Sequence, residues 1–242
     1  MSHAVARLRE ERMARFDRPY VARGTRAPRC PDCRVIFSHC LCHLRPRLTT
    51  HAGMCLIMGD IEPLKPSNTG WLIADVMADT AAFGWLRTQV DPALPALLAD
   101  PQWAPCLVFP GEYVAPERVI TEVPMVVGKR PLFVLLDGTW AEARKMFRKS
   151  PYLDHLPVLS LQPEQFSRYR LRRSTRVDHL CTSEVAALCL ALAGEPHAAA
   201  VLHTYLEVFS NHYLNGRESV PPDLEDAAHV RLRALAGVEE GG

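Results

Sequence analysis

The sequence of 242 residues lacks several features that assign a protein to a class. It has no run of 18 or more apolar residues, so no membrane span is expected, and its arginine-rich start has no hydrophobic stretch typical of a secretory signal. We therefore expect a cytoplasmic protein. A P-loop, a Rossmann glycine pattern, a G-x-S-x-G elbow and an H-E-x-x-H helix are also missing. NTP hydrolysis, nicotinamide chemistry, serine hydrolysis and zinc proteolysis consequently have no motif support.

A net charge is nearly absent too, because Lys and Arg number 28 and Asp and Glu number 27. The total hides two basic blocks. Residues 1–47 hold eleven Arg against four acidic residues, and residues 144–176 hold nine Lys or Arg against two, so each block carries +7 and the remainder −13. This partition is typical of a phosphate-contacting face, and it also fits a solvated surface. Charge alone leaves both interpretations open.

Eight cysteines are present, and in a cytosolic protein they stay reduced, so we expect metal ligands or small core residues rather than disulfides. Four of them have the spacing C-x2-C-x6-C-x-C: Cys30, Cys33, Cys40 and Cys42. This spacing predicts a tetrahedral structural zinc site, with His39 or His43 left open as a replacement for one thiolate. Three others lie in apolar runs and are predicted core residues: Cys55, Cys106 and Cys189. Cys181 stays undecided.

The chain after this cluster has the pattern of an α/β domain. Short apolar runs typical of buried parallel strands lie at 54–58, 106–109 and 132–136. Helical patterns lie at 69–77, 140–149, 182–193, 197–214 and 224–236, and a weak basic one at 3–18 is expected to be ordered only in contact with something else. We predict three parts: an arm with a zinc knuckle at 1–50, a catalytic α/β domain at 51–216 and a C-terminal tail at 217–242.

Polar residues follow the predicted strands, where open parallel sheets bind their ligands. Asp137 ends one strand, Pro110 and Gly111 follow another, and a polar loop at 62–70 follows the third. Each feature has an explanation of its own, because Asp, Ser and Thr cap helices and Gly permits tight turns. Trp140, likewise, is explained equally well as a core residue.

The combination resembles the DTW-domain family, whose Asp, Thr, Trp signature is present as Asp137-Gly138-Thr139-Trp140. The resemblance covers roughly residues 26–215. It includes the cysteine cluster, the Phe109-Pro110 strand end, and segments at 65–70, 137–153, 169–173 and 181–187. Gly59 stands where family members commonly carry a His, so a role for that His does not transfer.

The resemblance implies a SPOUT-like, knotted α/β domain that acts as a tRNA-uridine aminocarboxypropyltransferase. Such an enzyme moves the 3-amino-3-carboxypropyl group of S-adenosylmethionine to N3 of a uridine in tRNA and releases methylthioadenosine. Two alternatives remain: an S-adenosylmethionine-dependent RNA methyltransferase, and a non-catalytic zinc-containing RNA-binding factor. The modified position and the oligomeric state stay open.

Asp137 is then the catalytic candidate, because a carboxylate at a strand end can accept the imide proton of uridine or orient the nucleophile. The residues expected to hold S-adenosylmethionine are Phe109, Pro110, Gly111, Gly138, Thr139, Trp140, Asn68, Thr69, Thr182 and Ser183. The residues expected to contact RNA phosphates are Arg144, Lys145, Arg148, Lys149, Arg170, Arg172 and Arg173. The zinc ion is expected to be structural.

Overall fold

A computed structural model of the chain describes residues 2–15, 27–161 and 180–236. Its centre is a six-stranded sheet in which every strand pair is parallel. The strands are β1 (Gly53–Met58), β2 (Thr80–Gly84), β3 (Trp103–Val108), β4 (Val119–Ile120), β5 (Arg130–Asp137) and β6 (Val158–Leu159). The order β2-β1-β5-β3-β6-β4 places β5 between β1 and β3. The predicted α/β class with a parallel sheet is therefore confirmed.

The three strands predicted from apolar runs are the three central ones. All six residues of β1 are buried, because packed side chains cover both faces of the sheet there. The sequence pattern missed β2, β4 and β6. β2 is an edge strand with half-buried residues, and β4 and β6 have two residues each, so no long apolar run marks them.

Seven α-helices are seen in the described residues, and they include every helix predicted above. They are α1 (Ala4–Met13), α2 (Gly70–Val76), α3 (Ala93–Ala99), α4 (Trp140–Arg148), α5 (Thr182–Leu192), α6 (Pro196–Glu218) and α7 (Ala227–Ala236). α6 ends at Glu218, because the next residue, Ser219, has a left-handed φ of 59° that breaks the helix. None of these helices is long and apolar enough to span a membrane.

The sheet separates two hydrophobic cores. On one face, Leu56 and Phe133 pack with side chains of α2, α5 and α6. On the other face, Ile57 and Val134 pack with side chains of α3 and α4. Alternate residues of a strand point to opposite faces, so each central strand supplies both cores. The cysteines predicted as core residues are fully buried here, as expected: Cys55, Cys106 and Cys189.

The N-terminal segment packs against the sheet domain. α1 contacts β2 and α2, and its Val5 is fully buried. Val35 and Leu41, from the cysteine segment, belong to the same core as α6. The basic helix therefore has its packing contacts within this chain, contrary to the expectation that it needs an external one. The division into three parts stays a prediction. The knot stays one too, since the chain from 162 to 179 lies outside the described residues.

Candidate functional site

A buried carboxylate lies where the carboxyl ends of the central strands meet. Asp137, the last residue of β5, is 4% exposed. It accepts a hydrogen bond from the Asn68 side-chain amide at 2.7 Å and one from the Thr182 hydroxyl at 2.5 Å. Asn68 precedes α2 and Thr182 begins α5, so the carboxylate ties one strand end to the starts of two helices. The structure thus brings these three sequence-predicted residues together.

Burial raises the pKa of Asp137, while the hydrogen bonds from Asn68 and Thr182 act in the opposite direction. Glu62 adds to the rise, because it is a second buried carboxylate, 3.5 Å from Asn68 Nδ2 and paired with Lys65. A carboxyl group with raised proton affinity suits a proton acceptor.

Gly70 is required by this arrangement. A Cβ atom at Gly70 would lie 2.7 Å from Asp137 Oδ2, which is closer than nonbonded atoms approach. The Asn68 Oδ1 atom accepts the backbone N–H of Trp71 at 3.1 Å, and this contact turns the amide nitrogen toward Asp137. The tight start of α2 therefore fixes the donor that holds the carboxylate.

The chain turns from Asp137 into α4 through a capping box. The Thr139 hydroxyl accepts the Glu142 N–H at 3.4 Å, and the Glu142 carboxylate accepts the Thr139 N–H at 2.8 Å. The Thr139 hydroxyl also donates to that carboxylate at 2.6 Å, and this bond lowers the pKa of Glu142. The polar atoms of Thr139 are thus engaged in starting the helix.

Aromatic rings cluster beside this turn. Trp140 is 48% exposed and stacks on the buried Phe109 ring, with 5.5 Å between ring centroids and 15° between planes. Tyr113, which sequence reasoning did not place in the site, meets Trp140 edge-on at 5.4 Å. The Arg144 guanidinium lies 4.9 Å from the centre of the Tyr113 ring. The interpretation of Trp140 as a core residue is wrong, because half of its surface faces solvent.

The remaining residues predicted to hold a ligand lie at the same sheet edge. The Gly111 N–H donates to the Ser160 hydroxyl at 3.0 Å, and the Ser183 N–H donates to the Thr69 hydroxyl at 3.4 Å. The Ser183 hydroxyl is buried and has no hydrogen-bond partner among the described residues. Burial raises the pKa of the neighbouring Cys181 thiol to about 11, so this cysteine is protonated and a poor nucleophile.

The basic residues predicted on α4 differ in their surroundings. Arg144 is half-buried against Tyr113, and the Lys145 ammonium lies 5.6 Å from the centre of the Trp85 ring. Arg148 and Lys149 are exposed. The predicted RNA contacts Arg170, Arg172 and Arg173 lie outside the described residues.

The four clustered cysteines form a candidate metal centre. Their sulfur atoms lie within 4.8 Å of one another, with Cys30 and Cys42 3.6 Å apart and Cys33 and Cys40 3.7 Å apart. A tetrahedral zinc ion with Zn–S bonds of about 2.3 Å requires sulfur separations of about 3.8 Å, so the set fits zinc. His39 is not needed as a ligand, because its ring nitrogens contact the Val220 carbonyl and the Ser38 hydroxyl.

Arg34, inside the cysteine segment, links this centre to the buried carboxylate. It follows Cys33 in a left-handed conformation with φ of 64° and is 2% exposed. Its guanidinium donates to the backbone carbonyls of Lys65 at 3.0 Å and Asn68 at 3.1 Å. Sequence reasoning missed this residue, because it is one of eleven arginines in the N-terminal block.

Comparison with known proteins adds one match. The family described as the DTW domain matches residues 27–214, a range that runs from before the cysteine cluster into α6. It contains Asn68, Asp137, Trp140 and Thr182. No solved structure matches the chain.

Proposed function

Because the chain belongs to the DTW-domain family, we propose that it modifies tRNA by moving the 3-amino-3-carboxypropyl group of S-adenosylmethionine to N3 of a uridine. Membership in this family is consistent with a tRNA-modifying role. The observation that carries the finer proposal is Asp137, a buried carboxyl with raised pKa at the ligand-binding edge of a parallel sheet, next to the exposed Trp140.

The residues at this edge fit S-adenosylmethionine in kind. The buried Ser183 hydroxyl has an unused hydrogen-bond donor at the start of α5, which suits the carboxylate of the methionine part. The Trp140 ring, backed by Phe109, offers a flat apolar surface to adenine or to the target base. The proposed site is completed by Pro110, Gly111, Gly138, Thr139, Asn68, Thr69 and Thr182.

In the proposed transfer, uridine N3 forms a bond to the aminocarboxypropyl carbon attached to sulfur. The bond between that carbon and sulfur breaks, and its electron pair stays on sulfur, so the sulfonium becomes the neutral thioether methylthioadenosine. The N3 proton passes to Asp137, whose raised pKa favours its acceptance. The sulfonium activates its own carbons, so the protein contributes mainly orientation.

The zinc ion is proposed as a structural cofactor, since four thiolates complete its coordination and leave no position for a reacting water. The partner is tRNA, contacted by the proposed basic surface of α4 with Arg144, Lys145, Arg148 and Lys149. Arg170, Arg172 and Arg173 are proposed to extend this surface.

The proposal is tested by incubating the protein with tRNA and S-adenosylmethionine and identifying the products by mass spectrometry. Methylthioadenosine and an aminocarboxypropyl nucleoside are expected. S-adenosylhomocysteine would instead indicate a methyltransferase. Absence of S-adenosylmethionine binding in calorimetry would favour a non-catalytic RNA-binding factor. Nucleoside analysis of tRNA from a deletion strain then identifies the modified uridine.

A further inference from the structure

A cavity of about 730 Å³ lies between α1, the cysteine segment and α2. Its wall carries five arginines: Arg9, Arg29, Arg34, Arg45 and Arg47. Neither Asp137 nor Trp140 lines this cavity, so it is distinct from the proposed reaction site.

Part of this positive charge is not neutralised by the described residues. Arg45 pairs with Asp75 at 3.0 Å, so its charge is balanced locally. Arg29, Arg34 and Arg47, by contrast, form no ion pair within the described ranges. The other acidic residues of the wall, Glu10 and Asp32, are both exposed. Cys30 and Cys42 also line the cavity, so zinc-bound thiolates would offset part of this charge. The guanidinium groups that form no ion pair still attract anions.

Two buried side chains of the wall also carry unused hydrogen-bond donors. Arg34 and Trp71 are each 2% exposed, and neither Arg34 Nε nor Trp71 Nε1 has a hydrogen-bond partner among the described residues. Buried donors without an acceptor are unfavourable. A ligand with several acceptor oxygens would satisfy such donors.

The cavity and the reaction site share one loop. Pro66 lines the cavity, and two residues later the Asn68 amide holds Asp137. Arg34 lies in the cavity wall and donates to the backbone of this loop at Lys65 and Asn68. The cavity wall and the carboxylate are therefore connected through this loop.

We propose that this arginine-lined cavity binds the phosphodiester backbone of tRNA, away from the nucleotide that reacts. The proposal rests on tRNA being the substrate. Phosphate oxygens accept hydrogen bonds in the paired geometry that guanidinium groups offer, and arginine binds them better than lysine for this reason. The cavity anchors the strand while the target base enters the site at Asp137.

The test compares tRNA binding by the whole protein and two charge-reversal variants at several salt concentrations. Arg47→Glu alters an exposed cavity residue. Lys129→Glu is the matched control, because Lys129 is exposed and directly precedes β5, at the end of that strand opposite Asp137. We expect Arg47→Glu to weaken binding of unfractionated tRNA about tenfold and to reduce the salt slope by about one. Arg47→Lys keeps the charge but loses the paired geometry, so its affinity should lie between those of Arg47→Glu and the wild type. Lys129→Glu should match the wild type.

Equal tRNA affinity and salt slope in Arg47→Glu and the wild type would overturn the proposal. Loss of bound zinc in Arg47→Glu with unchanged tRNA affinity would also overturn it, because the arginines would then only balance the thiolates. Selective displacement of tRNA by submillimolar inorganic phosphate, compared with chloride at equal ionic strength, would assign the cavity to a free anion instead.

The cavity proposal and the proposed reaction can be refuted independently of each other. If the wild type forms the aminocarboxypropyl nucleoside and Arg47→Glu binds tRNA equally well, only the cavity proposal fails. If the wild type forms no such nucleoside but Arg47→Glu still weakens tRNA binding, the reaction is wrong and the cavity proposal stands.

Discussion

Arg34 donates a hydrogen bond of 3.1 Å to the backbone carbonyl of Asn68, whose side-chain amide in turn holds Asp137 at 2.7 Å. The turn that carries the metal-ligand candidates is thereby connected to the buried carboxylate through two hydrogen bonds. We therefore expect Arg34 to be a positioning residue, which acts on Asp137 through Asn68.

Replacing Arg34 tests this connection. Burial lowers the pKa of Arg34 to about 9, yet the side chain remains charged at neutral pH and donates to two carbonyls. Arg34→Met removes both bonds and should lower the free energy of unfolding by roughly 2–4 kcal/mol. It should also lower kcat more than it raises the KM for S-adenosylmethionine. Urea unfolding and steady-state transfer assays check these expectations.

The exposed Arg87 provides the control, and Arg87→Met should leave the free energy of unfolding and kcat unchanged. An unchanged kcat in Arg34→Met would contradict the positioning role.

Replacing Gly70 with alanine is informative, because the sign of the change in stability tests the close contact between residue 70 and Asp137. Alanine normally stabilises a helix by about 1 kcal/mol relative to glycine. At Gly70, however, the added Cβ would press on Asp137 Oδ2 from 2.7 Å, so Gly70→Ala should destabilise the protein by about 1–3 kcal/mol and abolish transfer. At Gly84 the added Cβ would meet only Leu8 at 3.6 Å, and Gly84→Ala should keep full activity. A Gly70→Ala variant with wild-type melting temperature and activity would contradict this expectation, because it would show that residue 70 and Asp137 can move apart without loss of function.

Asp137 should oppose folding at neutral pH. Its pKa is raised in the folded state, so the folded protein binds this proton more tightly than the unfolded chain does. The stability contributed by this group is full below the ordinary aspartate value of 3.8 and is lost as the pH rises through the raised pKa. Asp137→Asn should therefore equal or exceed the wild type in stability at pH 7, lose that advantage at low pH, and transfer no group. Denaturant titrations across pH measure the difference, and a variant less stable than the wild type at pH 7 would mean that the hydrogen bonds outweigh the cost of burial.

Part of the fold and the site could be predicted from local patterns. The runs that became β1, β3 and β5 are continuous in sequence, since the central strands of a parallel sheet are buried on both faces. Asn68, Asp137 and Thr182 could be assigned to one site because each stands at a strand end or helix start within a motif. The residues joined by contacts across the chain could not be assigned in this way. Arg34 lies 34 positions before Asn68, and no local spacing predicts that they touch.

The cysteine cluster gives a prediction about metal content. Cys33→Ser should lose one equivalent of zinc and a large part of the stability, because three thiolates and a hydroxyl bind zinc far more weakly than four thiolates. Cys106→Ala, in the sheet core, creates a small cavity and should be destabilised with its zinc retained. Elemental analysis and thermal unfolding separate the two effects. Equal zinc content in Cys33→Ser and the wild type would argue against the four-cysteine site.

Because Trp140 is half exposed, its contribution to ligand binding can be measured separately from its contribution to the stability of the protein. The ring is 48% exposed, so Trp140→Ala should change the free energy of unfolding by less than replacement of a core aromatic residue would. If the ring stacks on adenine or on the target base, the loss of one stacked base should weaken binding by about 1–3 kcal/mol, which is roughly a 5- to 150-fold change. Trp140→Phe keeps a flat ring and should recover most of that affinity. Met125→Ala, at an 82% exposed apolar residue, is the control for the loss of an exposed hydrophobic side chain. Separate titrations with S-adenosylmethionine and with tRNA show which ligand the ring contacts. If the affinities for both ligands are unchanged, the Trp140 ring stacks on neither of them, and its contact with the Phe109 ring is its role in the structure.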